Sequence, residues 1–391
     1  MPISTQRLMV STLHLTQAQL LKFELLDQGL VISRAALDAL RELNGERSLS
    51  PHDYASTSGI ILNLEDDVWV NAPIERYNPN FVSATPFVLG FDEGFFVEGA
   101  GLSSRATFWP QPEYHGSAMD FGPLNNYVVT HGDRARLSPV RSCSMTCTFC
   151  NIPYDDPLSV YALKPVAALV SAARVALGDP LQPARHMLIS GGTPKPKDIP
   201  WMQELYATVL GAFPTTKVDL MMVPLPGLFD LPKLADLGLH ELSINLELYN
   251  RDRARDYMRQ KYNQGLDFYL DFIESATVAL GQGRARSMLM VGLEPLEDTL
   301  AGVRAIAQRG GTPVLSPFRP DMATPLRDLK PPTADFMREA YERASDIVAE
   351  FGVILGPDCP PCSHNTLNFA AGADGRVAYA HDRPVMIGAG A

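Results

Sequence analysis

The sequence predicts an α/β fold: a (β/α) barrel of the TIM type, partial or complete, behind an N-terminal α+β appendage. Beyond residue 150, short apolar runs alternate with helical stretches, a rhythm that implies parallel strands joined by helical crossovers. Between about 58 and 137 the pattern is instead alternating and aromatic-rich, with Gly, Pro, Asn and Asp at the breaks, as in a small antiparallel sheet. The polar and glycine-rich motifs of the second half fall at strand ends, where such a barrel gathers its functional loops. The implied division is 1–130 for the helices and small sheet, 131–370 for the barrel, and 371–391 for a C-terminal tail.

Two short helices open the chain. Gln17 to Asp27 brings Leu20, Leu21, Phe23, Leu25 and Leu26 together, and Ser33 is placed to cap a helix through Leu40. Their apolar stripes predict packing against the rest of the chain. Strand candidates follow at Ile60–Leu64, Val68–Val70, Phe95–Val97, Ala106–Trp109 and Tyr127–Thr130, then at Arg136–Val140. Downstream, strands are predicted at His186–Ser190, Val218–Val223, Leu242–Leu246, Met288–Val291, Pro313–Leu315 and Val353–Leu355. Helices between them are predicted over 160–177, 199–213, 231–237, 251–280, 296–308 and 333–351.

The 391 residues, 46% hydrophobic, suffice for a barrel core, and the net charge of −11 argues against a nucleic-acid surface. The first residues lack the pattern of a secretory signal, and no apolar run approaches the roughly 18 residues of a membrane span. Five cysteines, three of them clustered, suit a reducing compartment better than a disulfide framework. The expected location is cytoplasmic.

Those three cysteines stand in Arg141-Ser-Cys-Ser-Met-Thr-Cys-Thr-Phe-Cys-Asn151, which places Cys143, Cys147 and Cys150 within eight residues. Three thiolates on one loop can hold three irons of a cubic four-iron cluster and leave the fourth open to a small-molecule ligand. Zinc would ordinarily require a fourth ligand in a C-x2-C or H-x3-H pattern, which the neighbouring sequence lacks. His131 and Tyr154 flank the loop and read as packing or hydrogen-bonding residues.

The C-x3-C-x-aromatic-C spacing, with Phe149 before the last cysteine, resembles the signature of the radical S-adenosylmethionine (SAM) superfamily, in particular its biotin-synthase-like barrels. The resemblance implies a 4Fe-4S cluster on Cys143, Cys147 and Cys150, with SAM on the open iron. It also implies one-electron cleavage of SAM to a 5'-deoxyadenosyl radical, and hydrogen abstraction from a substrate. An external electron donor of the flavodoxin or ferredoxin type is implied with it. Ser190-Gly-Gly-Thr-Pro194 is similar to the family motif that meets the methionyl end of SAM, so Gly191, Gly192 and Thr193 are candidates for that contact, with Thr193 standing where other members carry glutamate. Ser243-Ile-Asn-Leu-Glu247 is similar to a ribose-binding Asn-Leu-Asp. Strand alternation would point Ser243, Asn245 and Glu247 to one face, where buried polar groups need partners. Gly292 and Glu294 occupy the segment that shapes the adenine pocket in the family, and Arg319, in a loop resembling that after the sixth strand, is a candidate anchor for a substrate anion.

A second pair, Cys359-Pro-Pro-Cys362, follows the seventh strand candidate and so falls at the expected active end. Four readings stay open: ligands of an auxiliary cluster, a redox dithiol, a zinc site completed by His364 and another residue, or structural thiols. As catalytic groups the pair could return a hydrogen atom to a product radical; as ligands they form a candidate second metal site. The acidic balance favours a small-molecule substrate, transformed by epimerisation, rearrangement or sulfur insertion in cofactor or natural-product biosynthesis. The alternatives are a peptide or protein substrate presented by residues 1–130, and a non-enzymatic iron-sulfur scaffold or electron carrier.

Overall fold

In the computed structural model, residues 14–43, 59–82, 84–109, 112–154 and 160–369 are described. The predicted tail, 371–391, lies outside them. Helix α1 (Gln17–Gln28) starts at a capping box in which Thr16 and Gln19 satisfy each other's backbone N–H groups. Strand β1 (Val31–Ile32) leads to α2 (Arg34–Leu43), where Ser33 Oγ accepts from Ala36 N as its sequence position predicts.

A six-stranded sheet then assembles in the order β1-β4-β5-β6-β2-β3 from β1, β2 (Gly59–Leu64), β3 (Val68–Pro73), β4 (Val88–Phe91), β5 (Phe95–Gly99) and β6 (Leu102–Phe108). It is antiparallel except where β1 pairs with β4. The strands at Val31 and Val88 escaped the sequence reading because two to four residues are too few to show alternation.

A small hairpin, β7 (Ala118–Met119) and β8 (Gly122–Pro123), precedes the second sheet. That sheet begins with β9 (Val128–His131), antiparallel to β10 (Arg134–Leu137) across a Gly132-Asp133 turn. The run Tyr127–Thr130, expected in the N-terminal sheet, therefore belongs to the barrel. Strands β11 (Val140–Arg141) and β12 (Ala162–Leu163) pair across the cysteine loop. The parallel ladder continues from β10 through β13 (His186–Ile189), β14 (Lys217–Met221), β15 (Glu241–Ser243), β16 (Ala285–Val291) and β17 (Thr312–Pro317). The crossovers are α3 (Val166–Leu177), α4 (Ile199–Ala212), α5 (Leu231–Asp236), then α6 (Arg251–Tyr257), α7 (Arg259–Gln264) and α8 (Leu266–Leu280), and α9 (Leu296–Ala307).

Six parallel strands with helices between them make a partial barrel, with β9 and β17 as its edges. The expected seventh strand, Val353–Leu355, forms no ladder; β17 is met by single backbone bonds, from Gly356 N to Pro313 O and from Leu367 N to Leu315 O. Pro357, Pro360 and Pro361 lack the N–H groups that would extend one. The single long helix expected over 251–280 is three helices, broken at Met258 and at Gly265, whose φ is +96°.

Two faces of the curved sheet differ in chemistry. Ala135, Leu137, Met187, Ile189, Val218, Leu220, Leu242, Ala285 and Leu289 are buried against the helices. In-register residues share a face, and Arg136, Leu188, Asp219 and Glu241 form one row on the other side. There Arg286 reaches Asp219 at 3.2 Å and Glu241 at 2.9 Å. These ions lie in the first half of their strands, so the barrel's N-terminal floor is a paired-charge layer, which is stable only because its members neutralise one another.

The open edge is filled from both ends of the chain. Helix α10 (Ala334–Glu350), capped by Thr333, packs on α9 and α1. Phe23 of α1 meets Tyr341 and Phe369, with ring centroids 6.0 and 5.6 Å away. Arg319, after β17, donates from Nη2 to Asn71 O of β3 at 2.6 Å. Among the described residues no helix is long and apolar enough to cross a membrane.

Candidate active site

The cysteine loop lies at the C-terminal mouth of the barrel, held on one side by the turn after β13 and on the other by α6. Ser144 N donates to Thr193 O at 3.0 Å and its Oγ to Pro194 O at 3.0 Å. Thr193 N in turn donates to Cys143 Sγ at 3.1 Å, and Met145 N to the same sulfur at 3.3 Å. Two N–H donors aimed at one sulfur fix the orientation of the Cys143 side chain. From the far side, Thr148 N and Oγ1 both donate to Tyr257 O.

Gly192 explains why glycine is required here. A Cβ at this position would fall 1.6 Å from Ser142 O, while Ser142 itself holds φ +61°. Gly192→Ala is expected to push the cysteine loop away at a cost of at least about 1–3 kcal/mol. The measurements are a lower urea midpoint and reduced iron uptake on reconstitution.

A small apolar cluster surrounds the loop: Cys147, Leu248, Ala254, Met258, Leu293 and Phe318, with Phe149 and Cys150 packed against it. Leu248, Leu293 and Phe318 follow β15, β16 and β17, so four strand ends converge on the cysteines. Burial pushes the Cys147 thiol up to about 11 and the Cys150 thiol up to about 12. Without a cation both would stay protonated near neutral pH, whereas bound iron would hold them as thiolates. This donor set fits a cluster carried by Cys143, Cys147 and Cys150.

The strand after β15 departs from the alternation expected of it. Ser243 pairs with Arg286, but Glu247 pairs with Leu289, so four steps on one strand answer three on the other. The extra residue is a bulge, which redirects the side chains that follow it. Glu247 holds φ +68°, an uncommon conformation for a residue with a side chain. Its Oε1 accepts from Lys261 Nζ at 3.0 Å, and Oε2 is buried without a hydrogen-bond partner among the described residues. An orphaned carboxylate oxygen beside a cysteine loop fits a hydrogen-bonding ligand such as a ribose.

Ser243 Oγ donates to Asn245 Oδ1 at 2.7 Å, and Lys261 Nζ also donates to Asn245 O at 3.1 Å. Burial pulls the Lys261 ammonium down, but the Glu247 carboxylate, with further help from Tyr269 and Cys147, pushes it up, and the net shift is upward. Lys261 was missed from the sequence, where it stands in an ordinary polar helix. A lysine 14 positions after a site carboxylate gives no local signal.

Other predicted residues are already engaged. Gly292, at φ +101°, lies where a Cβ would touch the Pro332 ring at 2.9 Å. Glu294 accepts from Asn250 N at 2.7 Å and from Thr299 Oγ1 at 3.1 Å, tying the loop after β15 to α9. Both its oxygens thus have protein partners, which suits a structural tie rather than an adenine contact. Burial raises the Glu294 carboxyl to about 7 from 4.5. Because that shift is upward, the folded chain binds more protons than the unfolded chain between those values. The group's contribution is therefore fully present below about pH 4.5 and lost as pH rises through about 7, by at most about 3 kcal/mol. Glu294→Gln is expected to flatten this part of the stability profile, measured by urea unfolding at several pH values.

Arg319, bonded to the Asn71 carbonyl, joins the two sheets, and burial lowers it to about 9. The pair Cys359 and Cys362, expected at the mouth, is instead at the floor, packed on His186, the first residue of β13, and on Asp133, which precedes β10. Thr193, which touches Cys143, lies beyond the other end of β13. At about 3.3 Å per residue the four residues of β13 alone separate the two places by about 10 Å. The cause is the missing seventh strand: without it, the chain after α10 turns back beneath the sheet.

No family model matches the chain. The bacteriochlorophyllide c C-7(1)-hydroxylase of Chlorobaculum limnaeum is 26% identical over 124 residues, a match that spans 31% of this chain and 31% of that protein. Among solved structures, HydG, a maturase of the FeFe-hydrogenase, superposes with a TM-score of 0.46 at 14% identity, over 57% of this chain and 52% of its own. A radical SAM methyltransferase from Sphaerobacter thermophilus superposes at 0.43 and 14% identity, over 73% and 81%.

Proposed function

We infer that this chain is an enzyme of the radical SAM superfamily, and that it acts on a small-molecule substrate in the mouth of its partial barrel. One observation carries the reading: three cysteines at superfamily spacing converge at the C-terminal mouth, with Thr193 N–H on Cys143 Sγ and the orphaned Glu247 Oε2 close by. When bound, the cluster and SAM would supply one-electron cleavage of the sulfonium and a radical able to abstract hydrogen.

The chain's own residues have separate tasks. Cys143, Cys147 and Cys150 hold the iron, and the Thr193 and Met145 N–H groups orient the first of them. Gly191 and Gly192 bring backbone close enough to meet the methionyl end of SAM. Glu247, positioned by Lys261, accepts a hydrogen bond from the ribose. Phe149, Leu248, Leu293 and Phe318 keep water from the reacting end. An external one-electron donor of flavodoxin or ferredoxin type completes the system.

The net charge of −11 favours a small molecule over a nucleic acid. The curated relative's name, a hydroxylase of a bacteriochlorophyllide, also belongs to small-molecule chemistry. The test is anaerobic: reconstitute the full chain with iron and sulfide, add SAM and a strong reductant, and quantify 5'-deoxyadenosine. Cleavage is expected with the wild-type chain. An iron-loaded chain that neither binds nor cleaves SAM would sink the proposal in favour of a non-enzymatic iron-sulfur scaffold.

A further inference from the structure

We propose that Asp133, His186, Cys359 and Cys362 form a mononuclear Zn2+ site on the barrel floor, and that it clamps the C-terminal segment onto the β9–β10 turn and β13. All four residues are buried, and one ligand atom from each lies within 4.8 Å of the others. His186 Nε2 is 3.7 Å from Cys359 Sγ, 3.4 Å from Cys362 Sγ and 3.2 Å from Asp133 Oδ1, while Cys359 Sγ is 3.4 Å from Asp133 Oδ1. Zinc bond lengths to sulfur, nitrogen and oxygen give tetrahedron edges of about 3.3–3.6 Å between unlike donors. The observed separations are close to those edges.

The structure joins the two sulfurs as a disulfide. The metal-binding form is the reduced pair. A thiol reductant supplies two electrons and two protons to open the bond, and Zn2+ then displaces the two thiol protons as the sulfurs separate to about 3.7 Å. Two thiolates and an imidazole select zinc over magnesium or calcium, and four protein donors leave no open position, so the role is structural. Donors that converge on one point suit a single ion, whereas a cluster distributes its thiolates over several irons.

The surroundings are built for a clamp. Gly132 packs so closely on Pro361 that a Cβ there would lie 2.9 Å from the proline Cβ. Cys362 N donates to Cys359 Sγ at 3.3 Å. Lys22 of α1, fully buried, donates from Nζ to Ser363 O at 2.8 Å and to Asn368 O at 2.9 Å. Two thiolates, a carboxylate and Zn2+ leave one net negative charge, and the guanidinium groups of Arg134 and Arg185 are the cations that act on Asp133. Asp133 and Cys359 are 226 positions apart, so the ion would close a loop through most of the barrel.

The test uses the full chain, purified anaerobically with a phosphine reductant, in wild-type form and as Cys143→Ala/Cys147→Ala/Cys150→Ala, which cannot carry the cluster. Plasma emission spectrometry is expected to find one zinc per chain in both. Cys359→Ser/Cys362→Ser and His186→Ala should each lose it, and a chelator should lower the melting temperature of the wild type but not of these variants. Where a variant does not fold, Co2+ loading of the triple-alanine chain reads the site directly, through thiolate-to-cobalt charge transfer and tetrahedral ligand-field bands. Absence of zinc from the reduced triple-alanine chain overturns the proposal, as does zinc that survives loss of the pair or a cobalt spectrum without thiolate character. The outcome is separate from SAM cleavage, because the ligand sets share no residue.

Discussion

Cys143→Ala is expected to abolish 5'-deoxyadenosine formation, by more than about 100-fold, because under the proposed function it removes an iron ligand and not merely an outer-shell support worth about 10–100-fold. The same sulfur is the acceptor for Thr193 N and Met145 N, so its loss also frees the two strand-end loops it ties together. Iron per chain after reconstitution and product per turnover should fall together, while the circular dichroism of the barrel stays near wild type. A Cys143→Ala chain that still cleaves SAM would remove the central premise of the proposed function.

Lys261→Met should be the most destabilising single change near the site. Lys261 and Glu247 are both buried and paired at 3.0 Å, so removing the ammonium leaves a carboxylate without its counter-charge inside the barrel. Breaking such a pair costs about 3–5 kcal/mol, whereas replacing both partners by apolar groups is often close to neutral. Lys261→Met/Glu247→Leu is therefore expected to recover most of the urea midpoint that Lys261→Met loses. It should not recover SAM binding, measured by isothermal titration with the reconstituted protein, because the carboxylate offered to the ribose is gone. Recovery of both would show that Glu247 serves the fold alone.

Local pattern made much of this protein legible. Three cysteines on eight residues are legible as a candidate chelating loop because chelation by a loop needs only near neighbours. The strand and helix rhythm after residue 150 is likewise a short-range periodicity, and Ser33 caps a helix where its position predicts. The glycines after β13 were legible as a strand-end motif, though not that Gly192 is required by the approach of Ser142 O.

Only the tertiary structure decided what depends on distant parts of the chain meeting. Whether Val353–Leu355 becomes a seventh strand turns on partner geometry and on prolines just beyond it, and its failure sends Cys359 and Cys362 to the floor instead of the mouth. The bulge before Glu247 is a one-residue mismatch between two strands, invisible in either strand alone. Lys261 reads as a solvent-facing helical lysine until packing buries it against that carboxylate. The sequence by itself determined which groups can bind iron and roughly where each strand ends; packing decided which of them converge, because burial, register and charge pairing are properties of surfaces brought together and not of neighbouring residues.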